Sequence, residues 1–176
     1  MTYFSSPTAW RLPLEAFRHS LAEMAIDGVR HKEGVAMWLG RYEADIAVVT
    51  HVAVLRGPGV YKAADQLFIS SGVMNELTDV AIETKTILIG QVHSHGPLYG
   101  TWLSETDKKY GIAVPGYLSA VAPDYALRPD TRIHDCGFHL FEAGAGWRRL
   151  ASDEVERRIQ VTEATDIPVL TVTSHG

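Results

Sequence analysis

The chain of 176 residues contains one cysteine, Cys136. It cannot close a disulfide on itself, and a reducing compartment is the simplest setting for it. A lone cysteine reads as a small buried hydrophobe before it reads as a reactive thiol. Long apolar runs are absent as well. The best, Ile46 to Leu55, is interrupted by Thr50 and His51, far short of the roughly 18 apolar residues a membrane-spanning helix needs. Met1 to Trp10 has no basic segment leading into an apolar one, so no secretory signal is expected. There is no basic excess: 16 Lys and Arg stand against 21 Asp and Glu, for a net charge of -5. With no one-sided Lys/Arg block, neither nucleic acid nor an anionic membrane is expected as a partner. Internal repeats and low-complexity segments are missing too. These absences lead to the expectation of a soluble cytoplasmic protein whose partners are other proteins or small molecules.

What is present is a chain that is 46% hydrophobic, enough for one core in one domain. Leu14, Phe17, Leu21, Met24 and Ala25 recur at helical spacing with Gly28 as a stop, predicting a first helix of about fifteen residues. Val35 to Leu39 and Ile46 to Leu55 read as two strands joined by a turn around Arg41 to Asp45. Gly57-Pro58-Gly59 breaks the chain, and Phe68, Ile69, Val73, Leu77, Val80 and Ala81 mark the face of a second helix. A strand over Thr86 to His95, a loop over Gly96 to Trp102 and a short helix from Ser104 to about Tyr110 follow. Strands are predicted at Tyr117 to Ala122, Ile133 to Phe141 and Trp147 to Leu150, then a polar helix at Asp153 to Gln160; the tail from Thr162 to Gly176 is ambiguous. Helix, hairpin, helix, strand, helix, strands in that order predict an α/β layer structure with a mixed central sheet.

The decisive feature is His93-Ser94-His95 at the end of an aliphatic strand, with Asp107 twelve residues after His95 and Ser104 three places before Asp107. Side chains two apart on a strand share a face at roughly 6 to 7 Å, so two imidazoles can meet on one ion. Asp107, in the first turn of a helix begun by Ser104, is placed to be a third ligand. Two histidines and a carboxylate leave one position open, the pattern of catalytic rather than structural zinc. His-x-His alone is a weak signal, and the added Ser104, Asp107 and upstream glutamate are what strengthen it. Amide hydrolysis at such an ion also needs a carboxylate outside the metal shell to move the proton. Glu33, immediately before the strand Gly34 to Leu39, is the candidate, and Glu43 in the hairpin turn is the runner-up. Ser104 reads either as the cap of the short helix or as a donor to the oxyanion of the tetrahedral intermediate; the two roles are compatible. His19, His31, His51, His134, His139 and His175 have no partner at ligand spacing and read as surface or core-edge residues. Trp102 and Leu103 read equally as groove lining and as packing under the short helix, and Asp153 to Arg158 as a solvated helix face.

Glu33, then His93-Ser94-His95, then Ser104-Glu105-Thr106-Asp107 resembles the JAMM motif of the MPN-plus metallo-isopeptidases, whose pattern is a distant glutamate, His-x-His, a spacer and Ser-x-x-Asp. Glu33 to Gly40 is similar to that family's glutamate-bearing strand and Gly116 to Val121 to the strand after its short helix. The resemblance covers about residues 10 to 150, strongest to the prokaryotic JAB-domain branch found beside ubiquitin-like conjugation proteins. It implies a single-domain JAB/MPN-like α/β fold over 1–150, with a mixed, curved central sheet flanked by helices and a C-terminal helix and tail (151–176) packed on the same domain. It further implies one zinc ion (Zn2+) per chain on His93, His95 and Asp107, with Glu33 as general acid/base and Ser104 stabilising the oxyanion. The implied activity is cleavage after the C-terminus of a ubiquitin-like protein, by deconjugation or precursor processing. The implied partners are that ubiquitin-like protein with its conjugates, and activating-enzyme-like and conjugating-enzyme-like proteins.

One departure stands out. Eleven residues separate His95 from Asp107, where the family usually has ten, and the extra residue is expected to bulge in the loop Gly96 to Trp102 because loops accept insertions readily. Two other readings remain at this level. One is a non-catalytic scaffold of the same fold; the other is a zinc peptidase acting on small amino-acid or peptide adducts of a sulfur-carrier-like protein.

Overall fold

Trp10 and Leu12 alternate with Arg11 in a first strand, β1 (Ala9–Pro13), that leads directly into α1 (Leu14–Gly28). Phe17, Leu21 and Met24 form the buried stripe of that helix, with Glu15 favourably placed in its first turn. The computed structural model describes residues 6–173, so His175 lies outside the described residues. After α1 come β2 (Val35–Glu43) and β3 (Ile46–Arg56), then a small hairpin of β4 (Val60–Lys62) and β5 (Leu67–Ile69). The chain continues through α2 (Ser71–Glu83), β6 (Ile87–Ser94), α3 (Glu105–Tyr110) and β7 (Leu118–Ala122). It ends with β8 (Gly137–Glu142), β9 (Gly146–Arg149), α4 (Ser152–Arg158), β10 (Ile159–Thr162) and β11 (Val169–Thr173).

The fold is α/β, with one mixed sheet flanked by helices. Strands run in the order β10-β1-β3-β2-β6-β7-β8-β9, with β11 also pairing β3; β4 and β5 form a separate two-stranded sheet. Neighbours β2 and β3, β2 and β6, and β7 and β8 are antiparallel, whereas β6 and β7 are parallel. On one face, α1 packs on the larger core, which holds Ala36, Trp38, Val52 and Val92 and continues through Leu118, Ala120 and Phe138. Within it the Trp38 indole donates to the Ser20 hydroxyl at 3.0 Å, so a fully buried polar atom is satisfied. On the other face, Val73, Leu77 and Ala81 of α2 cover Val35, Met37, Leu39, Ala53 and Leu55.

Several elements depart from their predicted bounds, each for a local reason. Phe68 and Ile69 belong to β5, not to the second helix, which starts only where Ser70 caps it by accepting from the Val73 N–H. Arg41 to Glu43 extend β2, and the turn is reduced to Ala44 and Asp45. Ile133 to Asp135 is a 3-10 turn, so β8 starts at Gly137. The ambiguous tail holds β11, and Ile159 and Gln160 fall in β10 rather than in the last helix. Strands of three to five residues offer too few alternations to be read from one sequence.

Candidate metal centre

Strand pairing brings the candidate residues together. In the antiparallel pair of β2 and β6, Val35 lies opposite His93. Continuing that register by two residues sets Glu33 across from His95, which explains how a residue sixty positions upstream of His93 reaches the site. The strand ends are locked there: the Gly34 N–H donates to Ser94 Oγ at 2.9 Å, and the Ser94 N–H returns to the Gly34 carbonyl at 3.0 Å. Gly34 is required at this crossing, because a Cβ would lie 2.6 Å from the Met24 Cα of α1.

His93 and His95 point to the face that carries Met37 and Leu39, beyond the edge of α2, and both are buried. The third residue arrives on α3. Ser104 is its N-cap: Ser104 Oγ accepts from the Asp107 N–H at 3.0 Å, and Asp107 Oδ2 accepts from the Ser104 N–H at 2.7 Å, a closed capping box. That box turns the Asp107 carboxylate back toward the sheet. Its Oδ2 lies 3.2 Å from His95 Nε2 and 3.5 Å from His93 Nε2, and the two Nε2 atoms are 3.1 Å apart. Ligands bound to one tetrahedral zinc at about 2.0 to 2.1 Å stand roughly 3.3 Å from each other, so these three separations fit a single ion. His95 Nδ1 lies 3.2 Å from the Gly100 carbonyl, an acceptor that keeps a proton on Nδ1 and turns Nε2 toward the other two residues, where it could bind an ion. The three residues thus form a group able to hold a metal ion. The eleven-residue spacer still brings Asp107 to the two histidines, and it runs through a loop exposed at 97–100 in which Gly100 adopts a positive φ of 63°.

Burial and charge act against each other throughout. Burial pushes the Asp107 carboxyl up, but hydrogen bonds from His93 and His95, the His93 charge and the Ser104 N–H outweigh it and hold the group well below the usual carboxylate range. For His95, burial lowers the pKa, while the Asp107 hydrogen bond and the Glu33 and Asp107 charges raise it above the ordinary value. An ion on Nε2 therefore has to displace a proton, which makes metal uptake pH-dependent. Glu33 is 3% exposed, with Oε1 4.0 Å from His95 Nε2. Burial pushes it up, His95 pulls it down and Asp107 and Asp65 push it up again, to about 7. A carboxylate near neutrality beside three convergent ligand atoms is suited to take up and release a proton. Glu43 sits at the far end of β2, paired with Arg11 at 2.7 Å and Arg41 at 2.8 Å, away from the site.

Residues not tied to the site by spacing complete the surroundings. His139, on β8, is buried; its Nδ1 faces the Ser119 carbonyl at 3.3 Å and its Nε2 accepts from the Leu103 N–H at 3.4 Å, tethering the residue before the α3 cap to the sheet. Burial brings its pKa down to about 4, so it stays neutral and keeps both bonds. Its place in the alternation Phe138-His139-Leu140 marks it as facing away from the main core, but spacing alone could not give it a partner. Next to Asp107 a groove runs between β5 (Leu67, Phe68, Ile69) and α3, with Gln91 and Ser119 on its floor. Trp102 is exposed, stacked against the Arg149 guanidinium at 4.3 Å, while Leu103 is buried; neither lines the groove beside Asp107.

No protein-family model matches the chain, and no curated protein does. Among solved structures it is similar to protein DSY2949 from Desulfitobacterium hafniense, at 18% identity and a TM-score of 0.62, over 89% of this chain and 95% of that one. This likeness concerns the fold alone. AF2198, a JAB1/MPN domain protein from Archaeoglobus fulgidus, aligns over 92% of this chain and all of its own, at 13% identity and a TM-score of 0.42, too loose to argue from.

Proposed function

We propose that the protein is a zinc peptidase of the JAMM type that hydrolyses the amide bond after the C-terminus of a ubiquitin-like protein. The observation that carries this reading is the convergence of His93 Nε2, His95 Nε2 and Asp107 Oδ2 within 3.5 Å of each other, beside the buried Glu33. A zinc ion held by these atoms would lower the pKa of a water toward about 7 and polarise the scissile carbonyl. Glu33 takes the proton from the attacking water and passes it to the leaving amine, a task matched to a carboxyl whose pKa lies near 7. Ser104 Oγ accepts from the Asp107 N–H, which leaves its own O–H free to donate to the developing oxyanion.

The groove supports a polypeptide substrate. Among the described residues β5 pairs only with β4, and its three residues line the groove, so an extended tail can add alongside it as a further strand. The exposed Tyr61, Phe68, Leu98, Tyr99 and Trp102 suit a protein surface better than a small adduct. No described helix is long and apolar enough to cross a membrane. We place the activity in a reducing cytoplasm, with the ubiquitin-like protein, its conjugates and its activating-enzyme-like and conjugating-enzyme-like proteins as partners.

Metal analysis of the purified protein, paired with cleavage of a ubiquitin-like protein fused at its C-terminus to a reporter, tests the proposal. The expected result is one zinc per chain and cleavage of the fusion but not of short peptides. A folded chain that takes up no zinc returns the scaffold reading, and preference for short peptides overturns the ubiquitin-like substrate.

A further inference from the structure

Three consecutive non-glycine residues, Asp124, Tyr125 and Ala126, hold positive φ angles of 54°, 54° and 57°. L-residues avoid this region, and such strain persists only where surrounding contacts over-determine it. The contacts here converge on Tyr125. Its backbone N–H donates to the carbonyl of His95 at 2.7 Å, and its hydroxyl donates to the carbonyl of Ala64 at 2.9 Å, in the turn between β4 and β5. Two glycines make room for it. A Cβ on Gly96 would stand 2.6 Å from the Tyr125 hydroxyl, and one on Gly28, at the end of α1, 2.3 Å from its carbonyl oxygen. The side chain is buried.

The hairpin turn is also where Glu33 is tied: the Glu33 N–H donates to the Ala63 carbonyl at 2.8 Å. Adjacent carbonyls, Ala63 and Ala64, are therefore held by the candidate base and by Tyr125. The hairpin is also held by the ion pair of Lys62 with Asp27 of α1 and by the packing of Val60, Leu67 and Ile69 against the α2-covered core. We propose that Tyr125 is a positioning residue: its hydroxyl, carried on the strained turn that follows β7, clamps the β4–β5 hairpin so that β5 stands at a fixed distance from the His93–His95–Asp107 group. This rests on the proposed function in taking the groove beside β5 to receive the substrate tail. The left-handed turn aims the hydroxyl at Ala64 while the same residue's N–H holds the His95 carbonyl, so one residue spans the ligand strand and the groove edge.

Tyr125→Phe removes the hydroxyl and keeps the ring packed on Gly96. In the full chain loaded with zinc, amide exchange at Glu33 and at Ala63 in the hairpin turn is expected to speed up at least tenfold, with β3, β6 and zinc content unchanged. With the ubiquitin-like reporter fusion, KM is expected to rise at least fivefold and kcat to stay within twofold, because the two Gly34–Ser94 bonds still hold the Glu33 backbone. Unchanged exchange at Glu33 and Ala63 overturns the clamp. Exchange rising equally across the whole sheet, or a loosened hairpin with unchanged KM, reduces Tyr125 to a structural residue and overturns its positioning role. A wild-type protein that binds zinc but does not cleave the fusion sinks the proposed function instead, and the exchange measurement alone then decides the clamp.

Discussion

The sheet face away from α1 has two halves that belong to one sheet and differ in what covers them. Over β2 and β3 it is apolar: Val35, Met37, Leu39, Ala53 and Leu55 are sealed by Val73, Leu77 and Ala81 of α2. Over β6 to β9 the positions on the same side include the polar Gln91, His93, Ser119, His139 and Arg149 among the apolar Val121, Phe141 and Trp147, and their lid is α3, six residues long with none of them buried. The first half stabilises the fold by burial. In the second, polar groups sit on a rigid floor under a short cover, held by specific hydrogen bonds rather than by packing. The α1 face runs beneath both halves without interruption, through Val52, Val92, Leu118 and Phe138, so the polar half can forgo its own apolar seal.

The contrast breaks most completely at the candidate ligands. His95→Ala is expected to take zinc from one per chain to none and to abolish cleavage, while the melting of the α2-covered half persists; metal analysis and circular dichroism on one preparation check this. Zinc retained at full occupancy removes His95 from the ligand set.

Glu33→Gln separates chemistry from binding. Zinc is expected to stay and turnover to fall by about 10² to 10⁴, the usual worth of a general acid/base. The same substitution is expected to stabilise the metal-free protein. With a folded pKa of about 7 against 4.5 in the unfolded chain, Glu33 binds more protons folded than unfolded between those values. Its contribution is therefore present at low pH and is lost as pH rises through 7, up to about 3 kcal/mol at pH 8. Gln carries no such loss, so denaturant midpoints of the variant and wild type, both metal-free, should diverge from pH 5 to pH 8. Parallel curves would mean that Glu33 is not held in a raised state.

Leu77→Ala tests the apolar half. The side chain is 1% exposed under α2, and its truncation is expected to cost about 3 kcal/mol with zinc content of the folded fraction unchanged. Ser119→Ala, on the groove floor, is expected to shift stability by less than about 1 kcal/mol. Equal losses at the two positions would erase the distinction between the halves.

The two halves were also unequally legible. The helical periodicity of α1 and the lower part of α2, and the long runs of β3 and β6, announce themselves because burial imposes a period on apolar residues. Five polar residues, Glu33, His93, His95, Ser104 and Asp107, stood out because their types and spacing form a chemical pattern. His139 and Tyr125 did not, because what defines them is a partner distant in the chain: a carbonyl and an N–H across the sheet for one, a hairpin carbonyl for the other. Alternation placed His139 on a face but not beneath Leu103, and no pattern of residue types announces three successive left-handed residues. The hairpin β4–β5 was missed since Phe68 and Ile69 fit the helical stripe of α2 until Ser70 caps it.

The smallest effect lies at the end of α2, where the apolar half meets the ligand strand. Lys85 follows the C-cap Thr84 with a φ of 54°. Its N–H donates to the Ile82 carbonyl at 3.1 Å, and the Thr86 N–H donates to the Ala81 carbonyl at 2.8 Å, the paired bonds of a Schellman ending. That geometry costs a non-glycine residue about 1 to 2 kcal/mol. Glycine removes this cost but gives back roughly 0.5 to 1 kcal/mol through its looser unfolded chain, and the lysine charge near the helix end is worth a few tenths. Lys85→Gly is therefore expected to stabilise the fold by about 0.5 kcal/mol, seen as a higher denaturant midpoint at unchanged slope, with zinc affinity and turnover as in the wild type. A lower midpoint would show that the exposed Lys85 contributes more through its charge than its backbone costs, and a change in zinc affinity would show that the start of β6 is not mechanically separate from its ligand-bearing end.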